Sequence, residues 1–566
     1  KPIPGTSADS TIKFISSSGV ADDVKIRYRA TADSNYVIRL NGASYITFES
    51  ISITALDNSN MRAIAIDSNS SQITIRNCKL AGQKWGVGFD NRALIWSNNS
   101  MVNDSLIIEG NDFSKGSYAI SLNGADSLSE SGIRIENNII NDCRYGAISV
   151  TGSSGLLVKG NFVDGGFDAV DSFVALQLQR CVGSNTIIQN QFHQIVNSTV
   201  RLIDCYSDSS QPSLLANNYL HVGRIYSRSL IITRSKGWNI YHNSFLCMVQ
   251  NGQLMEVASS ESIKIYNNVL ACLEGEVSLY RENNSLSIWS DHNYYYTSGC
   301  QKMSQGLFTS RDLQEWQDFT GRDKNSLSFK PTVSYRHLEP HRFIDYRLIA
   351  GKDLTVAVDT DIDGDSRSNP PCIGADEFSI GQQTPISGAI NIPNDYPTIK
   401  EALDDLRLNP IGGTVRIMIS DGTYNEQLEI DGIQMTSDSL IITSVSRDSS
   451  LVKIIGDPNS SEDYVLRISN SNNVLISDIS FQSAGSGNKD VVVLQQSVAG
   501  VTFQNCNFRA NHTSINGSYA SLRDFLIEGC TFYRGRNAVL FGSFFPQCGI
   551  RNNITIQDNS FLGQSK

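Results

Sequence analysis

The chain has 566 residues, of which 40% are hydrophobic, 9% aromatic and 18% charged, with 13 prolines. That apolar content supports a large core and excludes a disordered chain, while no apolar run approaches the roughly 18 residues of a membrane span. With 57 acidic and 46 basic side chains the net charge is −11, which excludes the basic stripe of a nucleic-acid binder.

The opening Lys1-Pro-Ile-Pro-Gly-Thr-Ser7 has no basic stretch followed by an apolar one, so it is not read as a signal peptide. One pattern then recurs at Ile73–Leu80, Leu106–Phe113, Ile133–Ile140, Leu156–Val163, Trp238–Phe245 and Ile263–Leu270. Each copy is a short alternating strand, a polar turn ending in Asn (Cys in the first), and the apolar start of another strand. The sixth position of the pattern is placed at 51, 78, 111, 138, 161, 191, 218, 243, 268 and 293. A period in the mid-twenties without helical connectors predicts a parallel β-solenoid, because ankyrin and tetratricopeptide arrays need 3.6-period helices. Coils then stack at about 4.8 Å. The recurrent Asn fits an amide ladder, each side chain donating to one neighbour and accepting from the other, or a tolerant turn former.

Of 11 cysteines, six pair at the coil period: Cys181 with Cys205, Cys247 with Cys272, and Cys506 with Cys530. Stacked neighbours fall within disulfide reach, so a disulfide and a buried thiol stack are equal readings. Further on, Asp359, Asp361, Asp363 and Asp365 surround Gly364. Asp361, Asp363 and Asp365 are the candidates for holding Ca²⁺, the one cofactor considered. The spacing departs from the EF-hand, and a solvated acidic turn neutralised in part by Arg367 is the preferred reading.

The stretch Pro393–Leu406 is the one clear helix. Thr398 and Glu401 have capping-box spacing, and Ile399, Ala402, Leu403 and Leu406 share an apolar face. Such a helix is expected to close an open solenoid end. The strand Thr414–Ser420 and the turn Gly422–Glu426 follow. Beyond it the early sequence returns: Lys25-Ile26 and Tyr36–Leu40 reappear as Lys453-Ile454 and Tyr464–Ile468, an offset of 428, at which Ile12 meets Leu440 and Cys78 meets Cys506. The expected organisation is a module over 1–380 lacking its N-terminal cap, a linker over 381–390, and the cap helix and first coils of a second module over 391–566. The segment is expected to begin and end within a longer array.

Tyr396–Leu403 with Gly422-Thr-Tyr-Asn-Glu426 resembles the amino-terminal cap of right-handed parallel β-helices of the pectin-lyase-like superfamily. Trp316, Thr320–Asp323, Ser326, Asp361–Arg367 and Ile373–Phe378 resemble the closing segment of secreted bacterial β-helix proteins. With the 428-residue repeat, the whole chain resembles tandem modules of giant type IX-secreted bacterial surface proteins. The resemblance implies an all-β, right-handed parallel β-helix at the extracellular bacterial cell surface, with neighbouring modules of the same polypeptide, a homo-oligomeric assembly or a surface glycan as partners.

Enzymatic relatives of this fold need residues that this chain lacks. No histidine lies between glycines as a polygalacturonase requires, and Asp404-Asp405 sits on the cap helix. In Ala538-Val-Leu-Phe-Gly542, Ala stands where a pectin methylesterase carries its carboxylate. Phe167–Ser172, or Arg201 with Asp204, are the remaining candidates for a polysaccharide lyase. Asp9-Ser-Thr11, Asp104-Ser-Leu106, Asp126-Ser-Leu128 and Asp438-Ser-Leu440 resemble bacterial O-glycosylation sites. The leading expectation is a non-catalytic structural and adhesive module. The alternatives are a lyase-like enzyme, or a glycan-binding module using Trp85, Trp238, Tyr294, Tyr295 and Tyr296 as stacking platforms.

Overall fold

A computed structural model describes residues 2–563 apart from 58–59, 61, 68, 83–92, 98–103, 125–129, 167–171, 250, 274–276, 298–301, 331–332, 335–341, 344, 380–384, 410, 434, 436–437, 457–462, 485–488 and 543–550. The chain winds as a right-handed parallel β-helix. In the first module each coil contributes one strand to each of three sheets. Sheet one runs from Ile12–Ile15 to Leu286–Asp291 in 11 strands, and sheet two from Lys25–Tyr28 to Tyr294–Thr297 in 11. Sheet three runs from Ile38–Asn41 to Lys302–Gln305 and ends on the antiparallel strand Phe308–Ser310, making 12. In the second module the strands gather into sheets of nine and six.

Parallel register keeps like residues in columns. Ile75, Ile108, Ile135, Val158, Ile187, Leu215, Ile240 and Ile265 face each other across consecutive coils, all inside the core. A one-residue slip would turn each strand's apolar set outward, so the alternation sets the register.

The corner between sheets one and two explains the repeated Asn. The side-chain amides of Asn111, Asn138, Asn161, Asn190, Asn218, Asn243 and Asn268 each donate to the Oδ1 of the next, ending on Asn293, at 2.9–3.1 Å. The same Oδ1 atoms accept the backbone N–H of the preceding Asn. The ladder reading therefore holds, with one correction: the rung expected at 191 is Asn190, and Gln191 begins the next strand. The residue before each rung is left-handed, as at Asn137, Asn217 and Asn267 with φ of 54°, 54° and 58°. Asn and Gly tolerate that conformation best, which gives the Asn-Asn and Gly-Asn dipeptides their physical cause. A shorter ladder stands at another corner, where Cys205 N–H donates to Ser235, Ser235 to Ser260 and Ser260 to Ser285 through side-chain oxygens.

The expected cap helix is present. Helix α2, Ile399–Leu408, buries Ile399, Ala402, Leu403 and Leu406, and the Thr398 hydroxyl accepts from Glu401 N–H at 3.1 Å. Glu426 takes the Ile399 and Lys400 amides, so the last residue of the Gly-Thr-Tyr-Asn-Glu turn anchors the helix start. The sequence pattern missed an earlier helix, α1 at Leu313–Thr320, whose eight residues give barely two turns of periodicity. Its buried Leu313 and Trp316 close the far end of the first core. The expected linker is also corrected: Ile386–Ile392 is a strand paired with Ile411–Ile419, so the second solenoid starts inside it.

Replacing Asn218 by Ala strands the Asn190 backbone N–H and removes one of the two donors to Asn243 Oδ1 in a dry corner. A stranded group costs about 1–3 kcal/mol. Guanidinium unfolding should show a clear fall in midpoint, whereas Lys264→Ala on the outer face of sheet one should stay within about 0.5 kcal/mol.

Candidate functional site

The first module does not end where its solenoid ends. After α1, described residues within 345–378 fold back as a strap along the outer face of sheet two and the adjoining ends of sheet one strands. Leu348 and Ile373 cover Leu246, Val269, Ala271, Tyr294 and Tyr296; Ile362 and Ala375 cover Tyr219; Val358 covers Ala216 and Tyr241. The outward positions of these strands are apolar because the strap, rather than water, faces them.

Two buried groups fix the strap. Arg367, its side chain fully enclosed, pairs with Glu377 at 3.1 Å and donates to Asn217 Oδ1 at 2.7 Å and to the Gly374 and Ala375 carbonyls. Burial pulls its pKa below the ordinary arginine value. Asp361 accepts the Asp363 and Asp365 amides on Oδ1 and the Glu377 amide on Oδ2, at 2.8–2.9 Å. The Ca²⁺ candidates are corrected accordingly. Asp361 is a buried turn-former occupied by three backbone amides, Asp363 and Asp365 point outward as exposed residues, and no cluster of three metal-ligating side chains occurs among the described residues. Arg367 pairs directly with Glu377 and acts on the turn only through space, at Asp361.

The glycan-platform candidates are corrected as well. Trp238 and Tyr295 point into the first core, and Tyr294 lies under the strap with its hydroxyl donating to the Phe329 carbonyl at 2.5 Å. Tyr296 is likewise covered, and Trp85 lies outside the described residues. Rings that are exposed instead include Tyr28, Tyr206, Tyr226, Trp289 and Tyr533, which alternation alone does not distinguish. All nine cysteines of the described residues are free and buried, so Cys181/Cys205, Cys247/Cys272 and Cys506/Cys530 stand as thiol stacks. The Cys181 thiol and burial push the Cys205 thiol up, and burial does the same at Cys506, which makes both poor nucleophiles.

The lyase candidates do not assemble. Arg201 donates to Asn197 at 3.0 Å, whereas Asp204 pairs with Arg234 at 2.6 Å. Most of Phe167–Ser172 lies outside the described residues, as do His337 and His341. Asp404 pairs with Lys400 one helical turn away, and Asp405 accepts from Asn409 at 2.6 Å.

What does converge is the contact between the modules. Asp312, the N-cap of α1, holds Arg523 through two bonds of 2.9 and 3.0 Å. Lys330 donates its amide to Asp431 at 2.9 Å and its ammonium to Glu429 at 3.3 Å, and Arg467 reaches the same Glu429 at 2.9 Å. Arg347, clamped by Asp345 at 2.6 Å, lies 3.6 Å over the Phe329 ring and donates to the Gly432 carbonyl at 3.2 Å. Gln496 donates to the Thr297 carbonyl at 2.6 Å. Burial pushes Asp431 up; burial also opposes the charge of Glu429, but Arg467 and Lys330 hold it below the usual carboxylate range. Beside these contacts is a cavity of about 700 Å³ between α1, the strap and the second module, lined among others by Gln317, Tyr346, Leu406 and Ser497. The charged pairs of this contact left no signal in the sequence, since Asp312 and Arg523 are 211 positions apart.

Compared with known proteins, residues 62–270 match the family described as the right-handed β-helix region. Among solved structures, the chain is similar to the PL6 family alginate lyase AlyGC, at 10% identity over 98% of this chain and 85% of that one, with a TM-score of 0.23. A point mutant of the same enzyme aligns at 10% identity over 93% and 77%, with a TM-score of 0.25. The curated proteins contain no match.

Two outcomes follow from this geometry. Gly432 has φ of +68°, and a Cβ there would come within 2.1 Å of Arg347 Nη1 and 2.6 Å of Phe329 Cβ. Gly432→Ala should therefore loosen the modules, seen as faster amide exchange in Lys330 and Arg347 and a longer maximum dimension in solution scattering. His242 is fully buried: its Nδ1 meets the Cys372 carbonyl at 3.1 Å and Nε2 the Asn267 amide at 2.9 Å, a pattern only the neutral ring satisfies. Burial and the nearby Arg367 depress its pKa. The folded state thus disfavours the proton, and its stability falls as pH drops below the unfolded value of about 6.5. Amide exchange in 345–378 should accelerate between about pH 6.5 and 5, and less so in His242→Gln.

Proposed function

We propose that this chain is a non-catalytic, rigid spacer and attachment segment of a very large bacterial surface protein, exported by the type IX route and displayed outside the cell. The observation that carries this reading is mechanical. Hydrogen bonds run without a break from Cys78, whose amide meets Asn111, through the Asn ladder to Ser326 beneath α1. The charged contacts at Asp312–Arg523 and Lys330–Glu429 then join this stack to the next solenoid.

Stacked coils transmit load through many parallel hydrogen bonds, and at the joint the end of one core and the start of the next each lie under a helix, so modules can be added in series. A net charge of −11 keeps like modules from sticking to one another. Partners on this reading are the neighbouring modules and a surface target at the far end of the array.

The purified chain should appear in electron micrographs as short rods of constant width. Incubation with alginate, pectate and chondroitin, with and without Ca²⁺, should give no absorbance from unsaturated sugar ends. Accumulation of such ends, abolished by a single substitution at Arg201 or Asp204, would replace the spacer reading with a lyase.

A further inference from the structure

In the cavity between the modules, three separately packed apolar clusters approach without closing on one another. Leu313 belongs to the first core, Leu406 and Ile433 to the second, and Phe329 to the cluster under the strap. Leu327 packs at the edge of the strap cluster and Ile411 at the edge of the second core. All six line the space of about 700 Å³. Apolar surface left against water there is removed from it when an apolar body enters. A volume in this range at a joint between domains is also where small-molecule sites are commonly built.

The charge of the lining is one-sided. Among the described residues, Lys324 and Arg347 are its charged side chains and no Asp or Glu borders it, in a chain whose net charge is −11. Arg347 is already engaged by Asp345 and by the Gly432 carbonyl. Lys324 forms no ion pair among the described residues and is exposed, so its ammonium stands where the cavity opens to water. The amides that border the cavity are spent as well. Gln317 donates to the Asp323 carbonyl at 2.6 Å, Asn470 donates to Gln496 at 2.6 Å, and Asn472 accepts the Met435 N–H at 2.5 Å. A neutral sugar would find few open donors here, whereas an apolar body finds three clusters.

We infer that this cavity binds an amphipathic monoanion, a carboxylate on an aliphatic body of the fatty-acid kind. The body lies against leucines and isoleucines of both modules, and the carboxylate meets Lys324 at the mouth. One uncommitted cation suits one negative charge, so a polyanion gains nothing over a single carboxylate. Because the occupant touches both modules, its binding energy adds to the stability of the joint. This inference goes beyond the spacer role and does not rest on it.

The test is titration calorimetry of the full chain at neutral pH with decanoate below its micellar concentration. Acetate is the control for the head group and decyl glucoside the control for the tail. One saturable site is expected for decanoate, weakened about threefold by Lys324→Gln and further by Lys324→Glu. Ser497 lines the cavity and makes no hydrogen bond among the described residues, so Ser497→Phe fills the space without breaking one and should abolish binding. Bound decanoate should also slow amide exchange in Lys330 and Arg347. Lys324 is exposed, so its variants test the charge even if Ser497→Phe unfolds, which a lowered melting temperature would reveal. Absence of saturable binding, acetate or decyl glucoside binding as tightly as decanoate, or unchanged affinity in Lys324→Glu or in a folded Ser497→Phe would overturn the inference.

Discussion

A parallel solenoid has to turn the chain at every corner without leaving buried peptide groups unpaired, and here the Asn ladder meets that requirement. Each rung satisfies a backbone N–H and a carbonyl of the preceding coil and donates to the amide oxygen of the following one, as Asn138 does with Asn111, Ile108 and Asn161. The penalty for one missing partner in such a place exceeds the gain from any surface contact. The regular coil, the αL residue before each rung and the straight apolar columns all depend on this corner. Where the ladder stops, polar side chains complete it: Asn293 donates to Ser290 and Asp323, and Asp323 also accepts from Tyr295, Ser326 and Trp316.

The ends of a solenoid pose the opposite problem, because they expose core and unpaired strand edges. This chain solves it in two ways. α1 and α2 lay an apolar helical face over the last coil of one core and the first coil of the next. The strap covers a sheet face that would otherwise carry Leu246, Val269 and Tyr296 into water, and in doing so brings Arg347 to the second module. The joint between modules is thus built from the parts that close the first one. At the opposite end, Ile12–Ile15 pairs on one side with Ser44–Glu49, and Phe14 is 48% exposed where its repeat equivalent Ile442 is 3% exposed. The strand Ile411–Ile419 and α2 make that difference.

The repeat also supplies an internal comparison. Two faces of the same descent differ by an ion pair, Asp22 with Lys79 in the first copy against Ser450 and Asn507 in the second, and by a cation at Arg509 where the first has Ala81. Such paired changes mark a face whose chemistry has moved while its register has not, since Lys25 and Lys453 occupy the same place relative to Ser52 and Ser480.

Sequence by itself determined the solenoid, its period, the polar corner and the α2 cap, because each arises from contacts between residues one coil apart or closer and so leaves a short-range pattern. Only the tertiary structure decided which side chains of the sheets meet water. Trp238, Tyr294 and Tyr295 look alike as aromatic candidates, yet one lies in an inward column, one under a strap from a distant stretch of chain, and one against the Asp323 hub. The strap, the role of Asp361 as a turn-former and the Asp312–Arg523 clamp join residues up to 211 positions apart, and contacts at that separation have no period for a sequence pattern to carry.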